Sequence, residues 1–296
     1  MRGIIDLERY PLDRLESAEG QTLVSRCREE LALSGMFNLV GLIRAEIMEQ
    51  VVHEVTPVIQ SNAFTHRRQH NIYFLPEIEG LDPAHPALQQ FETVNHTICA
   101  DQIPHSALVD LYNWPPLAGF LAEVMEKPAL YPMDDPLACL NVMAYRDGEL
   151  LGWHFDRSEF TTTLLLQAPE QGGEFEYRTG LRDENNPNYA GVGAFLQSSN
   201  ASTSKLILHP GTLNVFRGRN TLHRVTPIQG ARERIIAVFP ISNIRPYALP
   251  TKTILDFTGA PLSHLNNTAR LCLLLVHTGD RNRNTYFGKY KVTYRR

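Results

Sequence analysis

Apolar residues early in the chain recur at helical spacing. Leu15, Leu23 and Leu31 share one side of an otherwise charged series, which predicts a helix over about residues 13–33 with Gly35 as its stop. The short run from Phe37 to Gly41 reads as a strand. Leu42, Ile43, Ile47, Val51 and Val55 predict a second helix, ending before Pro57 because proline lacks an N–H and crowds the preceding turn. Further helical patterns cover about residues 86–100 and 106–125, the second broken or restarted at Pro115-Pro116. Between these helices, the run His66-Arg67-Arg68-Gln69-His70-Asn71 reads as a solvated loop and Ile72-Tyr73-Phe74-Leu75 as a strand.

From Ala138 the texture changes to short β-type runs separated by turns, the pattern of a sandwich or barrel. Candidate strands start near Cys139, Gly152, Phe160, Gly173, Lys205, Thr212, His223 and Arg234. The polar stretch between Gly180 and Thr203 is too long for a hairpin turn and reads as a substrate lid. After Pro246 the pattern is irregular, with Leu271 to His277 and Tyr286 to Tyr294 as strands or as an interface that would make a homodimer. The whole reads as one α+β unit: a mainly helical layer over 1–135, a β core over 136–245 and an extension over 246–296.

Composition narrows the function. With 43% hydrophobic and 20% charged residues the chain can bury a core of ordinary size. A formal net charge of −4 argues against nucleic acid and anionic membrane as partners and favours a small-molecule substrate. No segment approaches the roughly 20 apolar residues of a membrane span, and the first residues lack a leader pattern, so a cytoplasmic protein is expected. Cys27, Cys99, Cys139 and Cys272 lie far apart with no Cys-x-x-Cys pair, which implies neither a zinc site nor a disulfide framework.

The chemistry centres on Trp153-His154-Phe155-Asp156. In an extended strand His154 and Asp156 project from the same face, so both can reach one metal ion. A second histidine, His223, opens a later β-type run, and Arg232 and Arg234 follow about ten residues on. Two histidines and a carboxylate form the facial triad that holds non-haem Fe(II) and leaves coordination positions open. Histidines elsewhere, such as His209, His264 and His277, read as structural.

The order His-x-Asp, His, Arg resembles the 2-oxoglutarate and Fe(II)-dependent oxygenases. Asn141-Val142-Met143-Ala144-Tyr145, Gln171-Gly172-Gly173 and His209-Pro210-Gly211 resemble the segments that flank the triad in prolyl-hydroxylase-like members. The Trp153 to Phe160 segment, with Thr163 to Gln167, is similar to bacterial radical halogenases of free amino acids and their hydroxylase relatives. The resemblance implies a double-stranded β-helix, or jelly roll, with N-terminal packing helices. It implies Fe(II) on His154, Asp156 and His223, with 2-oxoglutarate and O2 as cosubstrates. Arg234 would hold the distal carboxylate, with Arg232 as the second choice and Tyr145, Thr161, Thr163 and Asn141 nearby. Arg67, Arg68, His70 and Arg157 are candidates for the substrate, expected to be a free or modified amino acid.

Asp156 bears on the outcome, since the halogenases carry glycine or alanine there to admit chloride. Hydroxylation is therefore expected, with desaturation or ring closure as other products of the same chemistry. Hydroxylation of a protein residue, a cupin-type metalloenzyme without 2-oxoglutarate and a non-catalytic jelly-roll binding module are the alternatives.

Overall fold

Helix α1, Ala18–Ser34, starts where the Ser17 hydroxyl accepts the Gly20 N–H. It stops at Gly35, whose φ of 77° is free for glycine and whose N–H closes on the Leu31 carbonyl. A computed structural model describes residues 1–75, 77–135, 137–243, 285–287 and 290–292. Helix α2, Ala45–Asn62, buries Met48, Val51, Val55 and Ile59 and runs through Pro57 rather than ending before it. Pro57 lies on the exposed side while the apolar stripe continues to Ile59, so packing outweighs the lost hydrogen bond. Helices α3, Ala107–Tyr112, and α4, Pro115–Val124, divide at the paired prolines, with Pro115 in the first turn, where no N–H is needed. Helix α5, Tyr189–Gln197, occupies the stretch read as an irregular lid.

The strands in chain order are β1 Met36–Leu39, β2 Phe64–His70, β3 Phe91–Cys99, β4 Tyr131–Pro132, β5 Asn141–Tyr145, β6 Leu151–His154, β7 Thr161–Gln167, β8 Gln171–Gly172 and β9 Phe175–Arg178. They continue with β10 Ser204–Leu206, β11 Leu213–Phe216, β12 Leu222–Val225, β13 Ile228–Gln229, β14 Arg234–Val238 and β15 Ile241–Ser242. A separate antiparallel pair joins β16, Thr285–Phe287, to β17, Tyr290–Val292. The expected strand over Leu271 to His277 lies outside the described residues.

Three expectations are overturned here. Residues 91–99 form a strand, not part of a helix, because the run is buried from Thr93 to Cys99 and a continuous buried run carries no strand or helix period. The basic run at 66–71 is no loop: Phe64–His70 is β2, with Phe64, His66 and His70 buried and Thr65, Arg67 and Gln69 exposed. Residues 72–75, read as a strand, instead form the turn after it.

One curled sheet of eleven strands runs β1-β11-β7-β14-β5-β3-β6-β12-β9-β10, with β2 added on β3, and every pairing is antiparallel. This is the jelly roll, and β3 pairs with β5 through one half and β6 through the other. Alternation divides the side chains of its strands. Val142, Ala144, Leu164, Leu166, Leu213, Val215, Ile235 and Ala237 join the main core with residues of α1, α2 and α4. Met143, Tyr145, Leu165 and Ile236 face the interior of the roll with Val225 and Ile228.

Candidate active site

His154 and His223 meet because β6 and β12 pair with the two residues directly opposite one another. Their ring centroids lie 4.1 Å apart. His154 Nδ1 is 2.8 Å from the Gly152 carbonyl and His223 Nδ1 is 2.9 Å from the Thr221 carbonyl. Each carbonyl accepts the Nδ1 proton, so each Nε2 presents a lone pair. Asp156 brings Oδ1 within 3.2 Å of His154 Nε2 and Oδ2 within 3.6 Å of His223 Nε2. Donors at right angles on one ion, each about 2.1 Å from it, stand about 3 Å apart, so the donor set fits a facial metal site. Among the described residues no other set of three His, Cys, Asp or Glu side chains converges in this way.

Two glycines make room for the triad. A Cβ on Gly218 would stand 2.4 Å from both Asp156 Oδ2 and Thr161 Oγ1. The Gly218 carbonyl accepts the Asp156 N–H at 3.0 Å, and the Thr161 hydroxyl donates to Oδ2 at 2.5 Å. Gly152 lies against β3, where a Cβ would meet the Glu92 carbonyl at 2.7 Å. Phe175 and Phe216 pack on the His223 ring, with centroids 5.4 and 4.9 Å away. Burial pushes His223 down to about 4, with His154 adding to the effect and Asp156 opposing it, so the imidazole is neutral at pH 7, the form that binds metal. Burial alone would raise Asp156, but His223, His154 and Thr161 hold it below the usual carboxylate range.

Arg234 is the first residue of β14, opposite Tyr145 on β5, and only 3% exposed. Its guanidinium carbon lies 5.8 Å from the Tyr145 ring centroid, and among the described residues no carboxylate pairs with it. Burial lowers its pKa, with Tyr145 opposing, and burial raises the Tyr145 phenol, with Arg234 opposing. A buried guanidinium without a counter-ion fits an anionic ligand. Thr163 lies on the same interior face, two residues from Thr161, whereas the Asn141 amide is committed to the carbonyls of Leu137 and Leu140 at 2.8 and 3.0 Å.

The mouth is built by the end of β2 and the turn after it. Phe74 holds a φ of 55°, unusual for an aromatic residue, and its ring lies 5.4 Å from that of His154 and 4.5 Å from that of His70. The Asn71 side chain fixes this turn, accepting the Tyr73 and Leu75 N–H groups and donating to the Leu75 carbonyl. The guanidinium carbons of Arg68 and Arg157 stand 4.4 and 5.8 Å from the Phe74 ring. His70 has both nitrogens engaged, by Asn71 O and Thr93 Oγ1, and burial pushes it down to about 4. Arg67 and Arg232 are not brought to this site. Arg67 faces outward and pairs with Glu92 at 2.5 Å, while Arg232 is exposed ahead of β14 and donates to the Pro169 carbonyl at 3.1 Å.

Sequence reasoning missed Phe74, Gly218, Gly152 and Thr93. Only Gly218, two residues after the apolar strand run ending at Phe216, carried a visible signal.

A jelly roll with this triad and an unpaired arginine inside it defines an oxygenase of the 2-oxoglutarate and Fe(II)-dependent class. Halogenase D, HalD, matches residues 19–248, and the chain belongs to that family. No curated protein matches the chain. Among solved structures, AviO1 from Streptomyces viridochromogenes Tue57 is similar in fold, with a TM-score of 0.51 and 13% identity over 76% of this chain and 97% of that one. The non-heme alpha ketoglutarate dependent epimerase SnoN from nogalamycin biosynthesis has a TM-score of 0.50 and 13% identity, covering 75% of this chain and 80% of that one.

Proposed function

We propose that the protein hydroxylates an unactivated C–H bond of a small polar substrate, a free or modified amino acid, using 2-oxoglutarate and O2. The observation that carries this reading is the Asp156 carboxylate, within 3.2 and 3.6 Å of the two inward imidazole nitrogens. Where the halogenase relatives keep a small residue to admit chloride, this chain supplies a third ligand. That favours transfer of oxygen over transfer of halogen.

His154, Asp156 and His223 would hold Fe(II), which when bound couples decarboxylation of 2-oxoglutarate to succinate and CO2 with oxidation of the substrate. The hydrogen bond from Thr161 keeps the Asp156 carboxylate turned toward the imidazoles. Arg234 would grip the distal carboxylate of 2-oxoglutarate by a charge-assisted contact, with Tyr145 beside it. Arg68 and Arg157, flanking Phe74 next to His154, make the mouth cationic, which suits a carboxylate on the substrate.

The test is succinate formation with a panel of free amino acids, Fe(II), 2-oxoglutarate and ascorbate, followed by mass spectrometry in the presence of chloride. A product heavier by one oxygen atom is expected. Loss of two hydrogens would mean desaturation or ring closure, and a chlorinated product would overturn the reading of Asp156. No succinate above background with metal bound would overturn the amino-acid assignment.

A further inference from the structure

The two histidines have a counterpart on the other side of their strands. Side chains alternate along β6, β12 and β9, so Trp153, Arg224 and Glu176 project opposite to His154, His223 and Tyr177. Arg224 stands in register with Glu176 across β12 and β9. Its Nε and Nη2 donate to Glu176 Oε2 at 2.7 and 2.6 Å. The same guanidinium lies 4.8 Å from the Trp153 ring centroid on β6, and Lys205 Nζ on β10 reaches Glu176 Oε1 at 3.4 Å. One continuous row of contacts thus crosses four strands directly behind the metal ligands.

The location of this row matters for two reasons. The register between β6 and β12 shifts between His223 and Val225, so the backbone ladder is irregular at Arg224 itself, one residue from a ligand. A cavity of about 280 Å³, lined in part by Trp153, Glu176, Arg224, Phe91 and Phe195, also lies behind the strands. Behind Arg224 and Glu176 the packing is therefore open, while Trp153 beside them is packed against Phe195. Glu176 is 7% exposed, and a buried carboxylate that loses its partner is left with an uncompensated charge.

We propose that Arg224 and Glu176 are positioning residues that set the separation of His154 and His223 from the far face of the sheet. The inference rests on the reading of His154, Asp156 and His223 as the metal site. Groups that orient ligands are worth about 10-fold to 100-fold in metal affinity. Glu176→Gln keeps the shape but removes the charge, and Arg224→Lys keeps the charge but loses the planar fork and the stack on Trp153.

The experiment is titration of the full chain with Co(II), read by visible absorption, alongside thermal unfolding. Val24→Ala, in the buried face of α1, serves as a variant weakened far from the site. Glu176→Gln is expected to bind Co(II) about tenfold more weakly with a changed absorption band. Arg224→Lys should show a smaller loss in the same direction, and Val24→Ala should lose thermal stability while keeping its affinity. The inference is overturned if Glu176→Gln and Arg224→Lys bind Co(II) with unchanged affinity and spectrum, or if Val24→Ala loses as much affinity as they do. If the unsubstituted chain fails to bind Co(II), or His223→Ala binds it equally well, the metal-site reading itself falls.

Discussion

At the scale of single residues, the triad depends on what is absent as much as on what is present. Gly218 has no side chain where a Cβ would meet Asp156 and Thr161, so Gly218→Ala should displace the carboxylate and weaken Co(II) binding by about tenfold or more while the fold survives. Isothermal titration of the variant checks this. His70 adds a pH dependence. Its pKa is about 4 in the folded protein against about 6.5 unfolded, so between those values the unfolded chain binds the extra proton. Stability therefore falls as pH drops from about 6.5 towards 4, and His223 acts in the same direction. His70→Gln should flatten that slope in urea unfolding measured at a series of pH values. The convergence of His154, Asp156 and His223 was legible in sequence because the proposed metal site draws on few residue types in a set order. Phe74 was not, since its left-handed backbone and its approach to His154 arise only once the turn is folded.

At the scale of elements, boundaries written by local chemistry were readable and those set by tertiary packing were not. Gly35 ends α1 as expected, because only the local backbone decides it. Pro57 and β3 defeated the pattern for opposite reasons: one is a breaker overruled by a buried stripe, the other a strand buried too uniformly to show its period. Since Pro57 is exposed within α2, Pro57→Ala should restore a helical hydrogen bond and stabilise the protein by up to about 3 kcal/mol. The urea midpoint should rise, and succinate formation should stay unchanged because α2 carries none of the site residues. The order of β strands after Ala138 was largely legible, as hairpin strands alternate and turns announce themselves. The addition of β1, β2 and β3 to the same sheet was not, since pairing between distant segments leaves no local mark.

At the scale of the whole molecule, the proposed ligands converge from β6, its following turn and β12, so the proposed metal binding belongs to the folded state. A divalent ion at 100 times its dissociation constant should add about 2.7 kcal/mol to stability. For a chain of 296 residues that corresponds to a rise of roughly 4 °C in Tm, reversed by a chelator and absent in His223→Ala. Differential scanning calorimetry with and without Co(II) makes the comparison.

The pairing of His154 with His223 has one more consequence. Five strands, β7 to β11, separate the two partners along the polypeptide. During synthesis on the ribosome, the growing chain holds only two of the three proposed donors until β12 has emerged and docked. On the proposed assignment iron loading follows folding, and zinc or copper meeting the nascent chain finds no complete set of donors to occupy first.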